Sequence, residues 1–192
     1  MPLSSPSSRE LFHTRTVQCQ GFKRADGLWD IEGRMTDIKA HDMPHPEIAN
    51  ETLAANHALH DMWLRITVDL DLVIHDAEAA MDSTPFTYCP QIAPDYKKLI
   101  GLQIKGGFTK QVKSLLGGVQ GCTHLVELLG PIATTAFQTT HQIAQLSEDW
   151  STTGPLPKIM DTCHSWSRSG PIVRKNWPHF ASDADTKNQS KG

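Results

Sequence analysis

Two pairs of alternating segments, each separated by a short break, constrain the fold of this chain most. The first pair, residues 14–22 and 28–38, flanks a turn that contains Asp26-Gly27. An Asp-Gly dipeptide between alternating segments is a strong hairpin signal. In the second pair, apolar and polar residues alternate over residues 62–70, and apolar positions resume over residues 72–81. The two hairpins predict an antiparallel sheet with one covered face.

The second half of the chain has helical spacing. Residues 94–101 and 108–116 predict two short helices, and residues 122–150 predict one long helix that Pro131 kinks or divides. Strands followed by helices are typical of the α+β class. We therefore expect an α+β fold, in which an antiparallel β-meander is followed by helices packed on one face.

Segments outside this framework carry weaker signals. Residues 46–57 follow two prolines and predict a short helix, and Ile172-Val173 predicts a short extended piece near the C-terminus. Residues 1–9 are rich in Ser and Pro, and residues 181–192 are polar without apolar positions to bury. We expect two disordered tails around a single domain at residues 10–180.

Composition excludes several classes of partner. The net charge of −3 offers no basic surface for nucleic acid. No apolar run approaches the roughly 18 residues of a membrane helix, and the N-terminus lacks a secretory signal, so we expect a cytoplasmic protein without a membrane partner.

The four cysteines are widely spread, and a disulfide framework is an unnecessary assumption. Standard nucleotide and hydrolase motifs are absent from the sequence.

Cys122 is the residue best placed for chemistry. It follows a glycine-rich turn at residues 117–121 and precedes a run with helical spacing, so it should lie in or just before the first turn of a helix. Unpaired amides and the positive end of the helix dipole favour a thiolate there. Cys122 is therefore expected to bind a metal or react, unless it is a small buried residue packed beneath the turn.

Several sequence pieces, taken in order, are similar to one bacterial protein family. They are DGLWDIEGRMTDIK at 26–39, HDMWLRITVDLDLVI at 60–74 and GCTHLVELL at 121–129. The chain resembles a family of uncharacterised proteins that is known only as a domain of unknown function. This resemblance implies a family without implying a function.

A second, more distant resemblance concerns a metal site. The order of His60-Asp61, a hairpin, Cys89, helices and Cys122 is similar to the U-type iron–sulfur scaffold and zinc-dependent sulfur-acceptor fold. The resemblance implies that Cys89 and Cys122 match two cysteines of that fold and that Asp61 matches its aspartate. The fold's first cysteine is replaced by His60 or His57, which disfavours an iron–sulfur cluster and suits zinc.

Ligand chemistry gives a separate reason to group these residues. Zinc takes about four ligands, which Cys89, Cys122, His60 and His124 would supply. His124 follows Cys122 by two positions, so both face one site only if Cys122 lies at the helix cap. Otherwise His124 is a hydrogen-bonding neighbour of the site or a packed core residue. Glu127 either orients the ring of His124 or faces solvent.

Asp37 falls on the apolar face of the second predicted strand. A buried carboxylate needs a partner or a metal, because an unpaired buried charge is costly. We expect Arg24 or Arg65 to pair with it, and the alternative is a catalytic role beside His41 and Asp42.

The DTCH segment, residues 161–164, is a further candidate. Cys163 would add a late ligand to the metal site, or Asp161 would cap a local turn. The sequence leaves both alternatives open.

These residues predict a metal-dependent enzyme that acts on a small-molecule substrate. The metal is zinc, with iron as the alternative, and it polarises a carbonyl or activates water. The expected metal ligands are His60, Cys89, Cys122 and Cys163, and the expected catalytic residues are Asp61, His124 and Asp37. Two other functions remain: a metal, iron–sulfur or sulfur-transfer accessory protein, and a non-catalytic small-molecule binding module.

Overall fold

The computed structural model describes residues 3–48, 50–145 and 149–182. The chain divides into two compact units, residues 1–142 and 143–192. The single domain expected at residues 10–180 stays a prediction. Residues 3–12 contain no helix or strand, and most of the expected tail at 181–192 lies outside the described residues, so the disorder of both tails also stays a prediction.

The first unit is built on a four-stranded antiparallel sheet. The strands are β1 (His13–Lys23), β2 (Trp29–Lys39), β3 (Met43–Pro44), β4 (Thr52–Leu53), β5 (Ala58–Val68) and β6 (Ile74–Ser83). Strands β1, β2, β5 and β6 form the sheet in that order, and β3 pairs with β4 separately. Gly27 closes the first hairpin with φ at 88°, a conformation that glycine adopts without strain. Both predicted hairpins are confirmed.

Helices follow the sheet, as predicted for an α+β fold. A 3₁₀ helix spans Cys89–Leu99, α1 spans Phe108–Leu116, and a 3₁₀ turn spans Gly118–Gln120. The long helix α2 spans Thr123–Gln145. Pro131 lies inside α2 without dividing it, and Trp150, the expected end of the helix, is not helical. Among the described residues, no helix has the length and apolarity needed to cross a membrane.

Two of the weaker predictions are wrong. Residues 46–57 form no helix where they are described; β4 lies there and pairs with β3. Asn50 and Asn56 have φ of 65° and 67°, and such left-handed residues interrupt a right-handed helix. Ile172-Val173 is not extended but lies in α3 (Pro171–Asn176), where Pro171 provides a favourable first helical residue.

The helices cover one face of the sheet. Ile31 and Met35 of β2 are buried on that face with Leu128 and Ile132 of α2. Between them, a β-carbon at Gly33 would lie 2.7 Å from side-chain atoms of Ile132. The missing side chain of Gly33 therefore allows α2 to pack closely against β2.

The second unit has its own small aromatic core. Met160, Val173 and Phe180 are buried there, with Trp150, Trp166 and Trp177 packed against them. The ring centroids of Trp166 and Trp177 are 5.0 Å apart, and those of Trp150 and Trp177 are 5.5 Å apart. These distances correspond to direct ring packing. The tryptophans of this unit are core residues.

Candidate functional site

Asp37 is the centre of a polar cluster on the covered face of the sheet. It is 1% exposed and lies opposite Arg15 of β1 and opposite His60 of β5 in the strand registers. Directly opposed residues of antiparallel strands project from the same face. The registers of three strands therefore bring one buried carboxylate, one guanidinium and one imidazole together.

The carboxylate of Asp37 accepts four hydrogen bonds. Arg15 donates from Nε to Oδ1 and from Nη2 to Oδ2, each at 2.8 Å. His13 Nε2 donates to Oδ1 at 2.9 Å, and His60 Nδ1 donates to Oδ2 at 3.0 Å. A bidentate arginine together with two imidazoles compensates the burial of this carboxylate. Asp37 is thus held by three side chains of β1 and β5.

The arginine that pairs with Asp37 is not one of those expected. Arg24 pairs with Asp26 and Asp30 instead, and Arg65 pairs with Glu32 and Glu78. The prediction that an arginine pairs with Asp37 is confirmed. The prediction that this arginine is Arg24 or Arg65 is wrong, because Arg15 takes that place.

His124 lies between Asp37 and Cys122. It belongs to the first turn of α2, and its Nε2 is 3.8 Å from Asp37 Oδ2. Its Nδ1 is 3.9 Å from Cys122 Sγ. The ring also packs against His60, with centroids 4.0 Å apart. When Nε2 carries the proton towards Asp37, Nδ1 is the free acceptor that faces the thiol.

Cys122 occupies the N-terminal cap of α2, as predicted. The helix begins at Thr123, and the N–H of Val126 donates to the Cys122 carbonyl at 2.9 Å. The buried hydroxyl of Tyr96 donates to the same carbonyl at 3.0 Å and accepts from the Cys122 N–H at 3.2 Å. Tyr96 belongs to the 3₁₀ helix Cys89–Leu99, which therefore fixes the backbone from which the thiol projects.

Electrostatics keep Asp37 charged. Burial alone would raise the pKa of Asp37, but the hydrogen bonds and positive charge of Arg15 dominate, and His60 and His13 add to them. The resulting pKa is about 2. Asp37 is therefore a carboxylate at any physiological pH.

His60 and His124 are both held neutral. Burial lowers the pKa of His60 below its ordinary 6.5, and the neighbouring His124 lowers it further. Burial also lowers the pKa of His124, with Arg15 as the next cause. Asp37 opposes both shifts without reversing them. Each ring therefore retains one acceptor nitrogen near neutral pH.

Cys122 opens into a pocket that it shares with Cys89. The pocket has a volume of about 460 Å³, within the range of roughly 300–1,000 Å³ that is typical of ligand sites. Both cysteines have free thiols. The predicted association of Cys89 with Cys122 thus has a structural counterpart in this shared pocket.

Residues 13–138 match the family model described as "Protein of unknown function (DUF2889)". The chain belongs to this family. No curated protein and no solved structure matches the chain. The resemblance to the U-type scaffold accordingly stays a prediction. The DUF2889 segment includes the polar cluster, Cys89, Cys122 and His124, whereas Cys163 lies outside it.

Asp61 lies on the other side of the DUF2889 sheet from the polar cluster. Successive residues of a strand project from opposite faces, so Asp61 cannot share the face of His60. Its carboxylate accepts from Arg34 Nε at 2.9 Å and from Nη2 at 2.6 Å. The structure does not bring Asp61 together with the residues it was grouped with.

Three other candidates have no described contact with the residues of the polar cluster. Asp42 accepts from the Ala55 N–H at 2.8 Å, and the ring of His41 packs against that of Phe12 at an angle of 31°, with ring centroids 4.0 Å apart. Cys163 is exposed in the second unit. Its expected role as a ligand stays a prediction.

Glu127, by contrast, is joined to the cluster. Its Oε2 accepts from Arg15 Nη1 at 2.8 Å. Glu127 therefore holds the arginine rather than the ring of His124.

A metal ion has one candidate group in the described part of the DUF2889 protein. Asp37, His60 and His124 place one ligand atom each within 4.8 Å of one another. Cys89, Cys122 and His60, three of the four expected ligands, form no such group among the described residues. Arg15 already offsets the charge of Asp37, which weakens that carboxylate as a ligand for a cation.

Sequence reasoning missed Arg15, His13 and Tyr96. The first hairpin contained a signal for Arg15. Once the turn places Lys23 opposite Trp29, the antiparallel register places Arg15 opposite Asp37. No comparable local signal points from Tyr96 to Cys122, because their contact joins residues distant in sequence.

Proposed function

We propose that this DUF2889 protein is a thiol-dependent enzyme that transfers or hydrolyses acyl groups. Cys122 is the nucleophile, His124 is the general base, and Asp37 orients the base. The single observation that supports this function is the position of His124, with Nδ1 3.9 Å from Cys122 Sγ and Nε2 3.8 Å from Asp37 Oδ2. A nucleophile, a base and an orienting carboxylate in this order are the working parts of acyl-transfer enzymes on unrelated folds.

The chemical state of each residue agrees with its role. His124 is neutral because burial lowers its pKa, so its free nitrogen can accept the thiol proton. Asp37 remains ionised and can stabilise the imidazolium that then forms. Both contacts of His124 are longer than working hydrogen bonds, as is common before substrate binds.

The reaction follows from these positions. The proton of Cys122 passes to His124 as Sγ forms a bond to the substrate carbonyl carbon, and the carbonyl electron pair moves to oxygen. Amides of the first turn of α2 have no partner within the helix and can stabilise that oxyanion. The oxyanion then collapses, and the leaving group departs with the proton from His124. Water or another acceptor then adds to the acyl carbon and gives its proton to His124, and collapse of the second oxyanion breaks the bond to Sγ and returns the proton to Cys122.

Turnover of model thioesters tests this function. Purified protein is expected to hydrolyse aryl thioesters, Cys122→Ala should abolish turnover, and His124→Gln should reduce kcat by about a hundredfold or more. Cys163→Ser, which removes an exposed thiol of the second unit, is the matched control and should retain full activity. Undiminished turnover in Cys122→Ala, with folding verified by circular dichroism, would rule out the proposal.

A metal-dependent enzyme with zinc or iron is the second candidate. The observation in its favour is the group formed by Asp37, His60 and His124. Both rings are neutral, as ligands must be, and the thiols of Cys89 and Cys122 border a common pocket. The pairing of Asp37 with Arg15 weighs against this function, because a cation at Asp37 would lie next to the guanidinium.

Arg15→Gln separates the two candidates. If a metal binds at Asp37, the loss of the neighbouring positive charge should tighten the binding of zinc by about tenfold, as measured by titration against a chromophoric chelator. If His124 instead serves Cys122, untagged protein should contain less than one equivalent of metal by elemental analysis. In that case a chelator should leave thioester turnover unchanged.

A further inference from the structure

Three large side chains with apolar surface border the Cys122 pocket. Tyr88, Ile92 and Val119 line the pocket together with both cysteines. Val119 is fully exposed at 101% and Tyr88 is 74% exposed. Large apolar side chains that surround a reactive group and face solvent are typical of a binding surface.

The charged groups in and beside the pocket are already paired with other charged side chains. Among the described residues that line the pocket, none is a lysine, an arginine or a histidine, and the charged one is Asp95. Lys98 donates to Asp95 at 2.7 Å, so that charge is already compensated. Arg15, the cation of the polar cluster, is engaged by Asp37 and Glu127.

These features discriminate between acyl groups. A carboxylate or phosphate that entered the pocket would lose hydration without gaining a partner, and this is costly. An ammonium group would find Asp95 already paired. An apolar chain or ring would instead be removed from water against Ile92, Val119 and Tyr88, which is favourable in proportion to the buried area.

We infer that the Cys122 pocket takes a neutral, apolar acyl group, aliphatic or aryl, and excludes acyl groups that carry a second charge. The inference rests on the proposed thiol chemistry. Among the described lining residues, Gln91 supplies a neutral side-chain amide, which suits a single polar atom near the reacting carbonyl.

Affinity labelling tests the pocket without requiring turnover. The probes are N-hexyl iodoacetamide and N-carboxypentyl iodoacetamide, which share the same electrophile and differ in the charge at the end of the chain. Each rate is divided by the rate with free cysteine at the same pH, and the labelled residue is identified by peptide mapping. The neutral probe is expected to label Cys122 about tenfold faster than the anionic probe.

A positive charge placed in the pocket wall should weaken this preference. Val119→Lys adds a cation among the lining residues and should reduce the ratio of the two rates by about fivefold or more. Val119→Gln, the matched control, removes the same apolar side chain without adding charge. It should slow the neutral probe without favouring the anionic one.

Three results would overturn the inference: equal or reversed rates in the unmodified protein, failure of both probes to label Cys122, and an unchanged ratio in Val119→Lys. Other results would contradict the proposed function and the inference independently of each other. If the labelling preference is present but hexanoyl aryl thioesters are not turned over, the thiol enzyme is rejected while the preference of the pocket is retained. If adipoyl thioesters are turned over faster than hexanoyl thioesters, the enzyme is retained and the inference is rejected.

Discussion

At the scale of single residues, Asp37 determines how the candidate site is charged. It is one of the few buried ionised side chains of the described chain, and its burial is tolerated because Arg15 and two histidines donate to it. A buried ion pair contributes little net stability, but removing one of its partners is strongly destabilising, because the other charge is then buried without a partner. Asp37 is therefore important for stability as well as for chemistry.

Asp37→Asn should destabilise the protein in a pH-dependent way. The folded pKa of Asp37 is about 2, below its ordinary 3.8. The carboxylate therefore contributes stability that is fully present above about pH 4 and is lost as pH falls towards 2. The shift corresponds to about 2 kcal/mol. Urea denaturation should show the full difference from the unmodified protein at pH 7 and a smaller difference near pH 3.

Asp26→Asn is the control for this comparison. Asp26 pairs with Arg24 at the surface, and exposed pairs contribute about 0–1 kcal/mol. A loss of stability in Asp37→Asn that is the same at pH 7 and near pH 3 would contradict the linkage.

At the scale of secondary-structure elements, the 3₁₀ helix Cys89–Leu99 supports the start of α2. It contributes Cys89 to the pocket and Tyr96 to the backbone of Cys122. Tyr96 is fully buried, and burial raises the pKa of its hydroxyl. That hydroxyl therefore remains a neutral donor and acceptor. Tyr96 is a positioning residue for the thiol.

Tyr96→Phe should weaken catalysis more than it weakens the fold. The ring keeps its packing, while two hydrogen bonds to Cys122 are lost, at a cost of about 1–3 kcal/mol. We expect kcat for thioesters, and the rate of Cys122 alkylation, to fall about tenfold while KM stays nearly constant. Cys163→Ser, which alters an exposed residue of the second unit, serves as the control. A lower melting temperature with unchanged kcat and alkylation would show that Tyr96 is purely structural.

The sequence predicted helices and strands correctly where the turn residues and the apolar spacing indicated the same element. The Asp-Gly turn and the alternation in the flanking segments are enough to predict β1 and β2, and helical spacing after Cys122 is enough to predict α2. Residues 46–57 misled because their apolar spacing fits a helix, while Asn50 and Asn56 adopt left-handed conformations that the pattern does not reveal. Ile172-Val173 misled because two β-branched residues suggest a strand, although a preceding proline can begin a helix.

At the scale of the whole molecule, the buried histidines link stability to pH. The unfolded chain binds protons at His60 and His124 with the ordinary pKa of 6.5, whereas the folded protein binds them only at lower pH. Stability should therefore fall as pH decreases below about 6.5. Urea midpoints measured at about pH 7.5 and pH 5.5 test this, and the double variant His60→Gln, His124→Gln should show a smaller difference between them.

His57→Gln provides the comparison for this pH dependence. His57 is exposed, and its replacement should leave the difference between the two midpoints unchanged. A double variant with the same difference as the unmodified protein would show that other groups cause the pH dependence.

The sequence by itself determined the fold class, the two hairpins, the buried position of Asp37 and the location of Cys122 at a helix cap. Each depends on residues that are close in sequence, because strand and helix periods are local properties of the chain. Only the tertiary structure paired Asp37 with Arg15, separated Asp61 from His60 and placed His124 between Asp37 and Cys122. Those contacts depend on the register of three strands and on the closeness with which α2 packs over Gly33, and both are fixed by packing between distant segments.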